Sequence, residues 1–206
     1  SPPSPVYSNT SALVSDDDTN VSGQLTVSYN TDNINYYATY ATAFKSIGVN
    51  LGPPPPGGVV IEIPPEDLTH IELGLKSTIG NGKILNVSLY DTTIEDYQTQ
   101  TLLPGINRPV IASADKIRAR GAEIDFNANI GSAFSIYTSL AYSDAKYVSF
   151  PNAPPPLELT GLAAPPGSSA AFVDASGQRM PGISKWAASF GGEHRAQVNF
   201  LGKSGV

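Results

Sequence analysis

The chain has 206 residues, a formal net charge of -6, only 15% charged residues, 19 Gly, 18 Pro and no Cys. The acidic balance excludes a nucleic-acid partner, which needs a basic footprint for phosphate, and the missing thiols exclude a disulfide scaffold and thiolate metal sites. Low charge without high hydrophobicity, and no apolar run long enough to cross a membrane as a helix, fit strands that are polar on one face and apolar on the other.

Residues 1–23 read as a loop-like N-terminal extension, with no basic region followed by an apolar one that would mark a leader. Within it, Asp16-Asp17-Asp18 could attract a hard cation, but the run lacks the Gly and terminal Glu of a calcium loop and reads as a solvated acidic stretch. Strand patterning begins at residues 24–29 and continues over 34–45, where Tyr36, Ala38, Tyr40 and Phe44 fall on one face and Tyr37, Thr39 and Lys45 on the other. The turn between them is Asn30-Thr31-Asp32-Asn33.

A Pro- and Gly-rich connection covers 46–65, with Pro53 to Pro56 stiffening it. In the following strand Ile71, Leu73 and Leu75 oppose His70, Glu72, Gly74 and Lys76. After the tight turn at Gly80-Asn81-Gly82, Leu85, Val87 and Leu89 oppose Asn86, Ser88 and Tyr90 in a strand reaching Tyr97. A second long connection is placed at 99–109. The strand over 116–130 alternates Ala122, Ile124, Phe126, Ala128 and Ile130 with Glu123, Asp125, Asn127 and Asn129. Gly131-Ser132 turns the chain into a strand with Phe134, Ile136, Leu140 and Tyr142 on its apolar face. The third long connection, 149–182, contains Pro154 to Pro156 and Pro165-Pro166, and a strand at 183–193 precedes a partial one at 197–201.

This gives about eight strands, several longer than the five or six residues usual in soluble domains. Short turns alternate with long loops, as in an antiparallel barrel that meets the periplasm with hairpins and the exterior with loops. Residues 24–193 form the strand region and 194–206 a partial last strand, all in one segment.

Four stretches carry a family resemblance. Residues 37–46 (YATYATAFKS) resemble the Ala-Phe-Lys strand of TonB-dependent outer-membrane receptors. Residues 65–77 (PEDLTHIELGLKS) resemble the family's Glu-Leu-Gly-Leu-Lys strand, 117–124 (IRARGAEI) its Arg-Gly-hydrophobic-Glu strand, and 177–181 (GQRMP) the element before a late barrel strand. The resemblance implies an all-β, transmembrane-type barrel wall in the bacterial outer membrane, a part in uptake of a siderophore, cobalamin or other scarce nutrient, and no enzyme activity. It implies outer-membrane lipid, the remainder of the barrel with its plug, and a periplasmic energy-transducing protein as partners. It further implies that Glu72 and Glu123 pair in the lumen with Lys76, Arg118 or Arg120. Neither a plug nor an energy-coupling box is found in the chain, so it represents a fraction of the roughly 22 strands of the family's barrel.

Two alternatives stand beside this reading. One is a proteolytic β-rich extracellular filament subunit formed by self-association through open edges. The other is a self-contained eight-stranded barrel.

No catalytic, cofactor or metal residues are assigned. His70 and His194 stand apart from any metal-ligand spacing, His70 as a polar-face residue and His194 in a hairpin turn. The neighbours Glu66-Asp67 and Glu95-Asp96 point to opposite faces of a strand, so neither pair works as an acid/base couple. Gly80-Asn81-Gly82 is a turn and no phosphate loop. Tyr29, Tyr36, Tyr40, Tyr90, Tyr97, Tyr142, Tyr147 and Trp186 are assigned to an aromatic belt at the lipid headgroups.

Overall fold

The computed structural model describes residues 19–49, 62–80, 82–102, 109–153, 173–196, 198–200 and 203–205. Asp16-Asp17-Asp18, Pro53 to Pro56, Pro154 to Pro156 and Pro165-Pro166, all named above, lie outside these residues. Every regular element among them is a strand: β1 (Gly23–Asn30), β2 (Ile34–Lys45), β3 (Gly48–Val49), β4 (Glu62–Ile63), β5 (Glu66–Ile79), β6 (Lys83–Leu102), β7 (Pro109–Ile130), β8 (Phe134–Ser149), β9 (Trp186–His194), β10 (Val198–Phe200) and β11 (Lys203–Gly205).

Seven strands form one sheet in the order β1-β2-β5-β6-β7-β8-β9, every neighbour antiparallel. The other four make two small ribbons, β3-β4 inside the first long connection and β10-β11 after the main sheet. The residues assigned to a partial last strand therefore belong to a separate hairpin, and His194 is the final residue of β9, paired with Phe134, instead of a turn residue. The sheet is open, with β1 and β9 as its edges, so the described residues do not close into an eight-stranded barrel.

Local chemistry explains the hairpins. Gly80 and Gly82 take φ of 54° and 78°, a left-handed region that favours residues without a β-carbon. At the first turn Thr31 donates both its amide (2.8 Å) and its hydroxyl (3.1 Å) to the Ile34 carbonyl. The strands outrun their sequence patterns at the loop ends. β6 and β7 keep one register up to Leu102 and Pro109, with Asp96 and Asp115 left out of the ladder, so the second long connection shrinks to residues 103–108. Asp96, the one described non-Gly residue with positive φ (53°), lies on this extension, and the β7–β8 register shifts at Lys116/Ile117.

Little of the sheet has a core in the soluble sense. The buried cluster is Ala114, Ile117, Phe150 and Ala153, flanked by Tyr97, Tyr147, Val173 and Met180, at the loop end. It holds residues 173–180 against the top of β8, where the Tyr147 amide donates to the Gln178 carbonyl (3.0 Å), the Gly177 amide to Tyr147 (2.7 Å) and the Met180 amide to Ala145 (3.0 Å). Part of the third long connection is thus a rung of the sheet. The neck of the first connection is also tied: the buried Gln98 side chain donates to the carbonyls of Ser46 (3.0 Å) and Pro64 (2.9 Å). Glu66 completes the knot by accepting from the Gln98 amide (2.8 Å) and from Lys45 Nζ (3.0 Å).

Candidate ligand-facing wall

The register sorts the sheet into two faces, because cross-strand partners share a side. One face collects Tyr36, Ala38 and Tyr40 of β2, then Ile71, Leu73, Leu75 and Ile79 of β5. It continues through Leu85, Val87 and Leu89 of β6, Ala122, Ile124, Phe126, Ala128 and Ile130 of β7, Phe134 to Tyr142 on alternate residues of β8, and Trp186 and Phe190 of β9. Many are open to the surroundings: Leu73 54%, Leu89 55%, Trp186 60% and Phe190 77% exposed.

Counted from the tight turns, the apolar run reaches nearly the same height on neighbouring strands. It spans Ile79 to Ile71, Ile130 to Ala122 and Phe134 to Tyr142, eight steps each, ends at Trp186 beside Tyr142 on β9, and on β6 stops two residues short, at Leu89, with Asp91 next on that face. Eight steps are about 27 Å along a strand, or roughly 21 Å across a layer at a 40° tilt, which matches the apolar band of an outer-membrane barrel. A continuous apolar face of that height has no place in water.

The opposite face is polar. Tyr37 Oη donates to Glu72 Oε1 (2.6 Å), His70 Nδ1 shares a hydrogen bond with Thr92 Oγ1 (2.8 Å), and His70 Nε2 lies 3.5 Å from Glu72 Oε2. Lys76 Nζ sits 5.5 Å from the centroid of the Tyr37 ring. Tyr37, Glu72, Lys76, Asn86, Glu123 and Asp125 line an open depression of about 290 Å³. Three carboxylates, one ammonium and one phenol can hold a polar ligand through several weak contacts. The described residues contain no cluster of His, Asp and Glu that could hold a metal ion.

Three tyrosines lie across glycines on the partner strand. Tyr37 is paired with Gly74, Tyr90 with Gly121 and Tyr137 with Gly191. A β-carbon at Gly74 would run into the Tyr37 ring, and one at Gly121 would meet both the Tyr90 ring and the Tyr142 carbonyl. These glycines serve space and not backbone handedness, as their φ is not positive. The glycines of the two family-like stretches at 65–77 and 117–124 are the seats of Tyr37 and Tyr90.

Several sequence expectations need correction here. Glu72 is engaged by Tyr37 and His70 and not by a lysine or arginine. Arg118 and Arg120 face outward, away from Glu123: Arg118 forms a two-pronged ion pair with Asp91, through Nε at 2.8 Å and through Nη2, and Arg120 is paired across the sheet with Asp91 and Asp144. Strand parity carried this information, since even residues of 116–130 share the side of Ala122 and Ile124. Tyr29, Tyr36, Tyr40, Tyr142 and Trp186 lie on the apolar face. Tyr90 instead covers Gly121, and Tyr97 and Tyr147 pack on the buried cluster. The adjacent carboxylates separate, with Glu66 bound to Lys45 and Asp67 accepting from Asn20 (2.7 Å), while Glu95 pairs with Lys116 (2.9 Å).

An open, staggered antiparallel wall with one lipid-compatible and one polar face defines an outer-membrane-type β-barrel segment. The sequence model described as TonB dependent receptor-like, beta-barrel, matches residues 4–205, and the chain belongs to that family of outer-membrane transporters. No protein of curated function matches it in sequence. Among solved structures, the ferric yersiniabactin uptake receptor FyuA from Yersinia pestis superimposes with a TM-score of 0.62 at 18% identity, over 89% of this chain and 24% of FyuA. The copper transporter OprC gives a TM-score of 0.49 at 20% identity, over 61% of this chain and 20% of OprC. The chain thus spans about a quarter of FyuA's length. The family match bears out the outer-membrane location, FyuA and the family match bear out the all-β barrel wall, and nothing in the comparisons supports the filament alternative.

Proposed function

We propose that the chain is a stretch of wall in a larger outer-membrane barrel that imports a scarce nutrient, a ferric siderophore before cobalamin or another ligand. The observation that carries this is the pairing of a level apolar band with a polar inner face on the same seven strands, in a chain of the receptor family. FyuA, a receptor for ferric yersiniabactin uptake by its name, aligns over most of the chain and supports the siderophore class. In this reading a plug fills the lumen against the Tyr37–Glu72 wall, and a periplasmic energy-transducing protein opens it. Outer-membrane lipid covers the apolar face, and neighbouring strands of the barrel cover the edges of β1 and β9.

The test is uptake of labelled ferric siderophores and cobalamin by cells lacking the gene, grown without iron. Loss of uptake of one ligand, restored by the gene, supports the proposal. Unchanged uptake of all of them refutes it.

A further inference from the structure

The chain is acidic as a whole, yet five of its 12 basic residues gather on the outward face just above the apolar band. Arg118 and Arg120 come from β7 and Lys146 from β8, and the register puts them on the side of Ala122 and Tyr142. Arg179 is bridged to Lys146 across the sheet, held there by the Met180 and Tyr147 main-chain bonds. The Lys185 carbonyl accepts from the Ser143 amide (3.0 Å), and its Nζ stands 5.8 Å from the Tyr142 ring centroid. The carboxylates among them are Asp91, bound to Arg118, and Asp144, bound to Lys146 at 2.9 Å. Five cations against two carboxylates leave three positive charges unbalanced. The next row up, where Lys116 pairs with Glu95 and Asp67 lies beside Glu95, has one cation to two carboxylates.

Height decides what these charges meet. The band ends on these strands at Ala122, Tyr142 and Trp186, and the last two rings pack with centroids 4.7 Å apart. Arg120 lies two residues and Arg118 four residues beyond, so they stand about 5 and 10 Å above the band on a strand tilted about 40°. The headgroup zone of each leaflet adds roughly 5 to 8 Å to the hydrocarbon core. Arg120 therefore falls where phosphates sit, and Arg118, with Lys146 and Arg179 in its row, stands at the outer rim of that zone, above an aromatic pair of the kind that marks the interface. A charge belt meant only for solvent has no need of an excess of one sign at this level. Arg120 and Arg179 are exposed and have guanidinium donors to give.

We infer that this basic patch is a docking surface for phosphate-bearing lipid headgroups of the outer leaflet. It rests on the outer-membrane barrel reading. Phosphates bridge Arg120, Arg179 and Lys185, whose carboxylate partners are incomplete, and the acyl chains lie along Leu89, Ala122, Leu140 and Trp186 below.

The test uses the complete receptor that carries this wall, in nanodiscs of phosphatidylcholine with bisphosphorylated lipid A or its dephosphorylated form. Lipid carried through detergent extraction is counted by native mass spectrometry. The wild type retains the phosphorylated form in preference. Each basic residue at an anionic surface is worth roughly fivefold, so R120Q/R179Q/K185Q lowers retention about a hundredfold and R120Q alone about fivefold. The exchanged-cation variant R120K/R179K/K185R keeps it, as does K76Q on the inner face. Equal retention of the two lipids, unchanged retention by R120Q and the triple variant, or equal competition by inorganic phosphate overturns the inference. A wild-type protein that never inserts as a heat-modifiable barrel would instead refute the barrel reading itself.

Discussion

The tyrosine–glycine pairs give a test in which the sign of the effect depends on which atom is in the way. Glycine in a strand is less stable than alanine by about 0.5–1 kcal/mol when nothing obstructs the new methyl group. At Gly74 the three nearest atoms all belong to the Tyr37 side chain. Substitution G74A pushes that ring aside, adding overpacking of about 1–3 kcal/mol and the loss of the Tyr37–Glu72 hydrogen bond, about 1 kcal/mol net. At Gly121 the methyl group also meets the Tyr142 carbonyl, and a main-chain oxygen inside a ladder cannot rotate away.

Removing the ring therefore has different consequences at the two places. In a Y37A background G74A should stabilise, by about 0.5–1 kcal/mol. In a Y90A background G121A should still destabilise, by about 2 kcal/mol. The assay is urea unfolding of the complete barrel in micelles, followed by the loss of its heat-modifiable gel mobility, with the four variants and their parents compared. If G121A is fully rescued by Y90A, or G74A is not rescued by Y37A, the assignment of the obstructing atoms is wrong.

Four further outcomes follow from the geometry. L75R, in the middle of the lipid-facing run of β5, should destabilise the barrel by about 2–4 kcal/mol, whereas S88R on the inner face should change unfolding little, as urea titration would show. Q98A leaves the Ser46 and Pro64 carbonyls without their donor, so the first long loop should be cleaved faster by protease while the strands persist, with a local loss of about 1–3 kcal/mol. R118Q removes an ion pair whose partners are both partly exposed, and should change unfolding little, and less still at high salt. Outside the membrane span, the Ser176 hydroxyl and amide hold the Asp174 carboxyl below its ordinary value. That turn is therefore favoured above the ordinary carboxylate range and loses this support as pH falls through the lowered value, which a carbon-detected titration of Asp174 against an S176A variant would reveal.

What the sequence disclosed was what period two and turn chemistry encode locally. Alternation over 68–76 and 122–130 assigned faces correctly, and Gly80, Gly82 and Gly131 marked the hairpins. What it concealed depends on partners far along the chain. Nothing near Tyr90 reveals that it lies over Gly121, because that requires the β6–β7 register, and nothing in 173–180 has strand alternation because main-chain bonds to β8 hold it in place. Arg118 and Arg120 are different: their parity was readable, and charge complementarity to Glu123 drew them to the wrong face. The polar inner wall was legible as residues, but the Tyr37–Glu72–His70–Thr92 arrangement was not, since it joins three strands.

The order of the main sheet has a consequence for closure. It contains seven strands in strict up-and-down alternation, so its two edges, β1 and β9, run in the same direction, both descending toward the hairpins. Edges of like polarity cannot be zipped to one another as an antiparallel pair. Neither curling this sheet on itself nor joining the β1 edge of one copy to the β9 edge of another with that polarity completes an antiparallel ring. An odd number of intervening strands does. The parity of the wall thereby makes it a directional insert, with each edge admitting only an upward-running neighbour.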